Sequence, residues 1–311
     1  MGEVLTVKST NVRTAVTAVR QSSAARRRAQ TAPAQLRLLR ASMSLLETAS
    51  PPLAALWAEA LFRTPRRHEM PAREREWIAS AWPLRVGDGR DRLHAWSWGE
   101  GPTVVLAHGW EGRGSQMGAL ALALAGAGYR AVALDGPAHG ASGRRLCSLP
   151  QMAAAIGRLA HHLGPVRAVV AHSFGAAATS WAVASGALEA GRLALIAPGA
   201  DLQSYIREFG ARLGVSASTS ARMVRNLERR LAFSWEEGRR PALAGAARAP
   251  ELPVLVVHDR DDDEVPWSDG EAVAAAWPRA ELCSTSGLGH RRILRDPSVA
   301  ARVAAFVAGS P

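Results

Sequence analysis

The sequence predicts an α/β fold with a mostly parallel sheet covered by helices on both faces. From residue 103 onward, short and almost entirely apolar segments alternate with longer segments of helical periodicity. Apolar strands of this kind are typical of parallel sheets, because both faces of such sheets are buried. The chain has 311 residues, 48% of them hydrophobic, which is enough for one large domain with an appendage. No apolar run approaches the ~18 residues that a membrane span requires, so no span is expected.

Eight strands are expected. The first two alternate apolar and polar residues around a Gly-Asp-Gly turn at residues 87–89, so they are predicted to pair with each other. The other six are short apolar runs separated by helical patterns, and a helix over 298–308 closes the chain. These six runs are TVVLA at 103–107, YRAVALD at 129–135, VRAVVAH at 166–172, RLALIAP at 192–198, PVLVVHD at 253–259 and AELCSTS at 280–286.

Two helical regions lie outside this alternation. Residues 201–250 form a gap too long for an ordinary connection, and their helical patterns predict a cap inserted at one edge of the sheet. Residues 43–79 are predicted as an N-terminal helical extension, and the main domain is expected over 80–311. An amphipathic pattern at 34–48 and the prolines after Ser50 predict two short helices there.

The apolar residues of the cap recur at helical spacing. This pattern fits packing against the core and, alternatively, the lining of an acyl pocket. The residues concerned are Tyr205, Ile206, Phe209, Leu213, Met223, Leu227, Leu231, Phe233 and Trp235.

The net charge of +11 is concentrated near the N-terminus. Residues 1–42 contain eight Lys or Arg and one acidic residue, a net charge of +7, so the rest of the chain is only mildly basic. We expect a basic, flexible tail and no nucleic-acid partner for the main domain. Two alternatives stay open: a natural start at Met43, and a tail that binds nucleic acid or an anionic membrane surface. Cys147 and Cys283 are too few for a disulfide framework and lack metal-site spacing, which favours the cytoplasm.

A serine follows the third of the apolar runs directly, in the stretch VVAHSFGAAATSW at 169–181. Ala171 and Gly175 flank Ser173 at two residues' distance on either side. Small residues at these positions permit a very sharp turn from strand to helix, which would expose the hydroxyl group at the carboxyl end of the sheet. Because a serine hydroxyl is a poor nucleophile at neutral pH, it needs a nearby base and an acceptor that orients that base.

Residues of those two types follow the last two strands. His290 lies behind two glycines in TSGLGHRRI, after the eighth strand. The stretch DRDDDEVP after the apolar run of the seventh strand offers four aspartates as candidate acceptors: Asp259, Asp261, Asp262 and Asp263.

These motifs resemble those of the α/β-hydrolase superfamily, over residues 80–309. The serine stretch resembles its nucleophile elbow G-x-S-x-G, with alanine in place of the first glycine. The resemblance implies Ser173 as nucleophile and His290 as base. The register of its acid loop selects Asp262 as the acid.

Two further stretches extend the resemblance. LAHGWEGRGS at 106–115 resembles the oxyanion loop, which implies the backbone N–H groups of Trp110 and Phe174 as oxyanion donors, with His108 ordering the loop. LDGPAHGAS at 134–142 resembles the D-x-P-G-H-G-x-S turn, so Asp135 and His139 are expected to be scaffold.

The resemblance implies a serine hydrolase that cleaves a carboxylic ester through an acyl-enzyme, without metal or cofactor. A small acyl ester is the expected substrate, and His172 and Trp235 are expected to line its pocket. Thioesterase, carbon–carbon hydrolase and acyltransferase activities use the same three residues and stay open as alternatives.

Overall fold

The computed structural model describes residues 34–231 and 241–309. Within these ranges eight strands form one sheet in the order β1-β2-β4-β3-β5-β6-β7-β8. Strand β2 is antiparallel to both of its neighbours, and the other pairs are parallel. The strands are β1 (Trp82–Val86), β2 (Leu93–Trp98), β3 (Thr103–Ala107), β4 (Arg130–Asp135), β5 (Val166–His172), β6 (Leu193–Ile196), β7 (Val254–Asp259) and β8 (Ala280–Thr285).

The described residues form twelve α-helices. Helices α1 (Ala34–Ala49), α2 (Pro51–Phe62) and α3 (Ala72–Ile78) precede the sheet. The others are α4 (Gly118–Gly126), α5 (Leu149–Leu163), α6 (Phe174–Ala184), α7 (Leu202–Leu213), α8 (Ala217–Leu231), α9 (Pro241–Arg248), α10 (Trp267–Ala276), α11 (Gly289–Arg292) and α12 (Pro297–Ala308). The predicted α/β class, the mostly parallel sheet of eight strands and the N-terminal helices are confirmed. Helices α7, α8 and α9 lie within the stretch 201–250 that was predicted as a cap, and we refer to them as the cap.

Three features differ in detail from the sequence prediction. Helix α1 begins at Ala34, so it crosses the boundary expected at residues 42 and 43. Helix α3 was not predicted, because seven residues with four charged side chains give no clear apolar stripe. His290 lies in the one-turn helix α11 rather than in an open loop.

The sheet carries a separate apolar core on each face. One core packs α5 and α6 against the sheet through residues such as Ile156 and Ala178, and the other packs α4 and α12 through Leu124 and Phe306. The central strand β3 is buried along its whole length, as the apolar sequence TVVLA requires. Because both faces are covered, the open edge at the carboxyl ends of the strands is where polar side chains can collect.

A third core joins the N-terminal extension to the cap. Met43 of α1 and Ala58 of α2 pack with Ile206 of α7 and with Met223 and Leu227 of α8. We refer to these four helices, α1, α2, α7 and α8, as the helical lobe.

Polar contacts cross the same interface of the helical lobe. The Arg40 Nε donates to the Arg212 carbonyl oxygen at 2.8 Å, and the Ser216 N–H donates to Glu47 Oε1 at 2.9 Å. The extension is therefore bound to the cap rather than to the sheet alone. Within the described ranges, no helix has both the length and the hydropathy needed to cross a membrane.

Candidate active site

Ser173 occupies a sharp turn between β5 and α6. Its φ of 51° and ψ of −119° lie in a region that residues other than glycine rarely adopt. Such a conformation costs about 1–3 kcal/mol and persists only where the surroundings hold it. Here the Ser173 N–H donates to the carbonyl oxygen of Ile196 in β6 at 2.9 Å. The strained backbone places the serine at the carboxyl edge of the sheet, where the sequence predicted it.

Two glycines let neighbouring segments pack closely against this turn. A Cβ atom on Gly175 would lie 2.5 Å from the carbonyl oxygen of His108 and 2.7 Å from that of Ala107. A Cβ atom on Gly109 would lie 3.1 Å from the Cβ of Ser173. The loop after β3 therefore approaches the serine closely.

His290 and Asp262 form a hydrogen-bonded pair at the same edge of the sheet. The His290 Nδ1 lies 2.7 Å from Asp262 Oδ2, and both side chains are almost fully buried. The second oxygen of Asp262 accepts the backbone N–H groups of Glu264 at 2.9 Å and Val265 at 2.8 Å.

This environment keeps Asp262 ionised. Burial acts to raise its pKa, but hydrogen bonds from His258, His290 and Val265 outweigh that effect and hold the pKa well below its usual range. An ionised carboxylate accepts the Nδ1–H of the neutral imidazole, which leaves the other ring nitrogen of His290 with a free lone pair. That nitrogen can accept a proton.

The neighbouring aspartates have other partners. Asp259 is buried and accepts the Thr285 hydroxyl at 2.6 Å and the N–H groups of Leu288 and Gly289 at 3.1 and 3.0 Å. It thereby fixes the segment that leads to His290. Asp261 accepts the Gly287 N–H at 2.8 Å, and Asp263 is exposed. Of the four aspartates, Asp262 is the one placed against the imidazole.

His172 supports the backbone of His290. Its Nε2 donates to the His290 carbonyl oxygen at 3.0 Å, and the two rings are 4.6 Å apart between centroids. Burial, followed by the proximity of His290, lowers the pKa of His172 to about 3, so this ring is neutral. His172 directly precedes Ser173 in the sequence and is expected to line the substrate pocket. The polar contact that the structure shows for its ring is with the backbone of His290.

Burial raises the pKa of the Tyr205 phenol, and the nearby Ser173 side chain opposes that shift in part. Tyr205 belongs to the apolar stripe of the cap, and that pattern does not indicate which of its residues lie near the serine. Among the described residues, no hydrogen bond links the side chains of Ser173 and His290.

The expected oxyanion donors flank the serine. Within the described residues, the backbone N–H groups of Trp110 and Phe174 donate to no backbone carbonyl. The two aromatic rings pack edge to face with centroids 5.2 Å apart, so both residues line one side of the turn. Helix α6 begins at Phe174, and its free N–H groups favour negative charge there.

The other polar residues of the two loop motifs are structural. The His108 Nε2 accepts the Gly136 N–H at 2.9 Å, and Asp135 accepts the N–H groups of Gly114 and Ala141 at 2.7 and 2.9 Å. The His139 Nε2 accepts the Glu111 N–H at 3.2 Å. These bonds tie the loop after β3 to the turn after β4.

Two residues of the predicted cap stripe, Trp235 and Phe233, lie outside the described residues.

Among the residues that are described, no group of three or more His, Cys, Asp or Glu side chains could hold a metal ion.

A family comparison identifies the fold and the family. A sequence profile described as "Alpha/beta hydrolase family" matches residues 104–305, which is more than half of the chain. The chain belongs to the alpha/beta hydrolase family. This hydrolase therefore carries its serine turn, its acid loop and its histidine within the matched region. No curated protein sequence matches the chain.

Solved structures share the fold of this hydrolase at low sequence identity. A candidate lipase from Acinetobacter baumannii AYE superimposes with a TM-score of 0.59 at 16% identity, covering 78% of this chain and 98% of its own. An esterase from Rhodococcus sp. ECU1013 gives 0.52 at 20% identity, covering 75% and 100%. A thioesterase domain from the curacin biosynthetic pathway gives 0.54 at 21% identity, covering 73% and 99%. At these identities, the similarity shows the fold alone.

Proposed function

We propose that this hydrolase cleaves carboxylic esters through an acyl-enzyme, with Ser173 as nucleophile, His290 as base and Asp262 as the acid that orients His290. The observation that carries this proposal is the buried Asp262–His290 pair, with its 2.7 Å hydrogen bond, at the sheet edge where the strained turn presents Ser173. An imidazole held by an ionised carboxylate is the base that a serine hydroxyl requires.

The proposed reaction has two steps. In the first, Ser173 Oγ attacks the ester carbonyl while the free ring nitrogen of His290 takes the hydroxyl proton. The negative oxygen of the tetrahedral intermediate lies against the N–H groups of Trp110 and Phe174, and His290 then gives its proton to the departing alcohol. In the second, His290 removes a proton from water, which attacks the acyl-enzyme and regenerates the serine.

The identity of the acyl bond is tested by substrate choice. Thioesters, carbon–carbon bonds next to a carbonyl and transfer to an alcohol would use the same three residues. We expect the purified protein to hydrolyse p-nitrophenyl esters of short or medium acyl chains without added metal, and faster than the matching thioesters. A higher kcat/KM on thioesters would assign the enzyme to that class instead.

The nucleophile is tested by replacing Ser173 with alanine. We expect Ser173→Ala to lower kcat by about 10⁴-fold or more and to abolish labelling by a fluorophosphonate, since the reacting oxygen is removed. The control is Ser185→Ala at the other end of α6, where the hydroxyl bonds only the Ala182 carbonyl. Full turnover by Ser173→Ala, or a label mapped to another serine, would refute the proposal.

The acid is tested by exchanging carboxylate for amide at neighbouring positions. We expect Asp262→Asn to lower kcat by about 10³–10⁴-fold, because the amide no longer holds His290 in the required tautomer. The exposed Asp263 provides the matched control, and Asp263→Asn should keep activity within about 2-fold of the parent. A larger loss at 263 than at 262 would assign the acid differently.

A further inference from the structure

The loop after β3 is bonded to a segment that precedes the sheet. This loop spans residues 108–113 and contains Trp110. Residues 63–78 run from the end of α2 to the end of α3, and we refer to them as the linking segment. Glu74 of α3 accepts the Arg113 Nε at 2.7 Å and the Arg113 Nη2 at 3.0 Å, so the two side chains form a bidentate ion pair. The Arg113 Nη1 also donates to the His68 carbonyl oxygen at 3.2 Å.

The carboxylate of Glu74 is buried among its donors. The Ser115 hydroxyl, just after the loop, donates to Glu74 Oε2 at 2.7 Å. Glu74 is 3% exposed, Arg113 is 7% exposed and Ser115 is fully buried. A buried ion pair of this geometry resists displacement, because movement of either side chain leaves a charge without its partner away from solvent. The pair therefore fixes the end of the loop to α3.

The middle of the loop is held in an uncommon conformation. Glu111 has a φ of 56°, in the left-handed region that residues other than glycine seldom adopt. Its N–H donates to His139 Nε2 at 3.2 Å, and its Oε1 accepts the Arg66 N–H of the linking segment at 3.3 Å. Trp110 lies between this residue and Gly109, which packs against Ser173. The direction of the Trp110 N–H thus depends on contacts on both sides of it.

We propose that Glu74 is a positioning residue for the oxyanion site, which holds the loop through Arg113 so that the Trp110 N–H points at the negative oxygen of the tetrahedral intermediate. An N–H group stabilises that oxygen only when it is correctly placed, so a displaced loop slows the reaction without weakening ground-state binding. The family profile begins at residue 104, and this role falls to a segment before it. The inference rests on the proposed function of Ser173 and Trp110.

The first test exchanges the carboxylate for an amide. Glu74→Gln keeps the size of the side chain but turns one acceptor into a donor that faces the Arg113 guanidinium. We expect kcat on p-nitrophenyl esters, per site titrated with a fluorophosphonate, to fall by about 10–10²-fold, with KM changed less than about 3-fold. The control is Glu281→Gln in β8, an exposed residue paired with Arg302, which should keep kcat within about 2-fold of the parent. Equal kcat in the two variants would overturn the role of Glu74.

The second test measures stabilisation of the oxyanion directly with a trifluoromethyl ketone. Ser173 Oγ adds to its carbonyl carbon, the serine proton passes to His290, and the ketone oxygen becomes negative. We expect Glu74→Gln to raise the inhibition constant of the ketone by the same factor as kcat/KM falls, with inhibition by the carboxylic acid product nearly unchanged. Unfolding of part of the sample would lower the number of titrated sites and leave that constant unchanged. An unchanged constant for the ketone would therefore contradict the proposal.

The third test separates the position of the loop from the stability of the fold. Glu74→Leu combined with Arg113→Met removes both charges, and apolar replacement of a buried ion pair is often neutral or stabilising. We expect a Tm close to that of the parent but a kcat still lowered at least about 10-fold, since the hydrogen bonds from the loop to α3 are lost. Recovery of kcat together with Tm would show that the pair serves stability alone.

A milder variant covers the case in which both changes at Glu74 fold poorly. Ser115→Ala removes one hydrogen bond to Glu74 and leaves the ion pair in place. We expect its inhibition constant for the ketone to rise about 3–10-fold, the effect of losing one hydrogen bond to a charged group that holds the loop. A constant equal to that of the parent would overturn the inference.

The two proposals fail in different ways. If the parent protein hydrolyses esters, labels at Ser173 and loses activity in Ser173→Ala, but the changes at Glu74 and Ser115 have no effect, only the inference on Glu74 falls. If the parent neither hydrolyses esters nor labels at Ser173, the proposed function and the inference fall together.

Discussion

At the scale of single residues, burial keeps two histidines of the site region uncharged. His139 and His172 are almost completely buried, and burial, with smaller contributions from nearby charges, lowers the pKa of each to about 3. Each ring uses its neutral form in a described contact: His139 accepts the Glu111 N–H, and His172 donates to the His290 carbonyl oxygen. Protonation of His139 would remove its acceptor, so the loop geometry depends on the neutral form.

Because these two histidines are buried in the neutral form, we expect acid to destabilise the protein at pH values well above those at which carboxylates titrate. The native pKa lies below the unfolded value, so the unfolded chain binds protons first as pH falls. The free energy of unfolding should therefore fall by about 1.4 kcal/mol per pH unit per histidine between about pH 6.5 and pH 4.5. Asp135 and Asp262, whose pKa values are lowered, contribute to acid sensitivity only below about pH 4.

The measurement is urea unfolding across that range of pH. His139→Gln should reduce the slope of the free energy of unfolding against pH by the amount that corresponds to about one bound proton. The loss of a hydrogen bond lowers stability at every pH and does not change this slope. The control is His161→Gln, at an exposed position of α5, which should leave the slope unchanged. A slope that is the same in His139→Gln and in the parent would contradict the neutral assignment.

The residues that could be predicted are those whose role follows from their position at a strand end. Ser173 and Asp262 follow β5 and β7 at fixed register, so the order of motifs placed them correctly at the sheet edge. The contacts of Tyr205 and His258 could not be predicted in the same way. The position of Tyr205 depends on which side of α7 faces the serine. The contact of His258 depends on its Nε2 lying 3.3 Å from Asp262 Oδ2. The spacing of residues along the sequence specifies neither of them.

At the scale of elements, the serine turn depends on the close packing of α6 against the end of β3. Thr179, one turn into α6, bonds the carbonyl oxygen of Gly175 at 2.8 Å, and Ser180 bonds that of Ala242 in α9 at 3.0 Å. These bonds hold the helix while the turn before it stays strained. The strain is thus balanced by the packing of the whole helix and not by the serine itself.

The packing around Gly175 predicts that one added methyl group displaces the turn. A Cβ at position 175 would lie 2.5 Å from a backbone oxygen that cannot rotate away, so Gly175→Ala should lower the free energy of unfolding by about 1–3 kcal/mol. We expect kcat to fall at least about 10²-fold, since a shift of about 1 Å at a reacting atom has that effect.

The matched control is Gly126→Ala at the end of α4, where a Cβ atom would meet nothing within 4 Å. That change should keep activity and raise stability by up to about 1 kcal/mol, because alanine favours the helix. Equal activity of Gly175→Ala and Gly126→Ala would show that the turn tolerates the methyl group. Unfolding curves and ester hydrolysis measure both effects.

At the scale of the whole molecule, the N-terminal extension and the cap form one packing unit, although residues 63–201 separate α2 from α7 in sequence. The sequence predicted helices in both regions, but each amphipathic stripe could equally have packed on the sheet. The buried Glu59 of α2 makes the connection specific, since it pairs with Arg63 at 3.0 Å and with Arg230 of α8 at 2.9 Å. Such pairing across distant segments depends on tertiary complementarity, so no local pattern could predict it.

This connection predicts that a change in α1 reaches the nucleophile through α7. Met43 is fully buried in the helical lobe, so Met43→Ala should remove about 2–5 kcal/mol of packing from the lobe. Because α7 carries Tyr205, we expect faster amide hydrogen exchange in α7 and a lower kcat on esters, with exchange in β5 unchanged. Leu45→Ala provides the control on the same helix, since Leu45 is 73% exposed, and it should leave both measurements near the parent values. Unchanged exchange in α7, or equal losses of protection in α7 and β5, would show that the lobe does not transmit its packing to the site in this way.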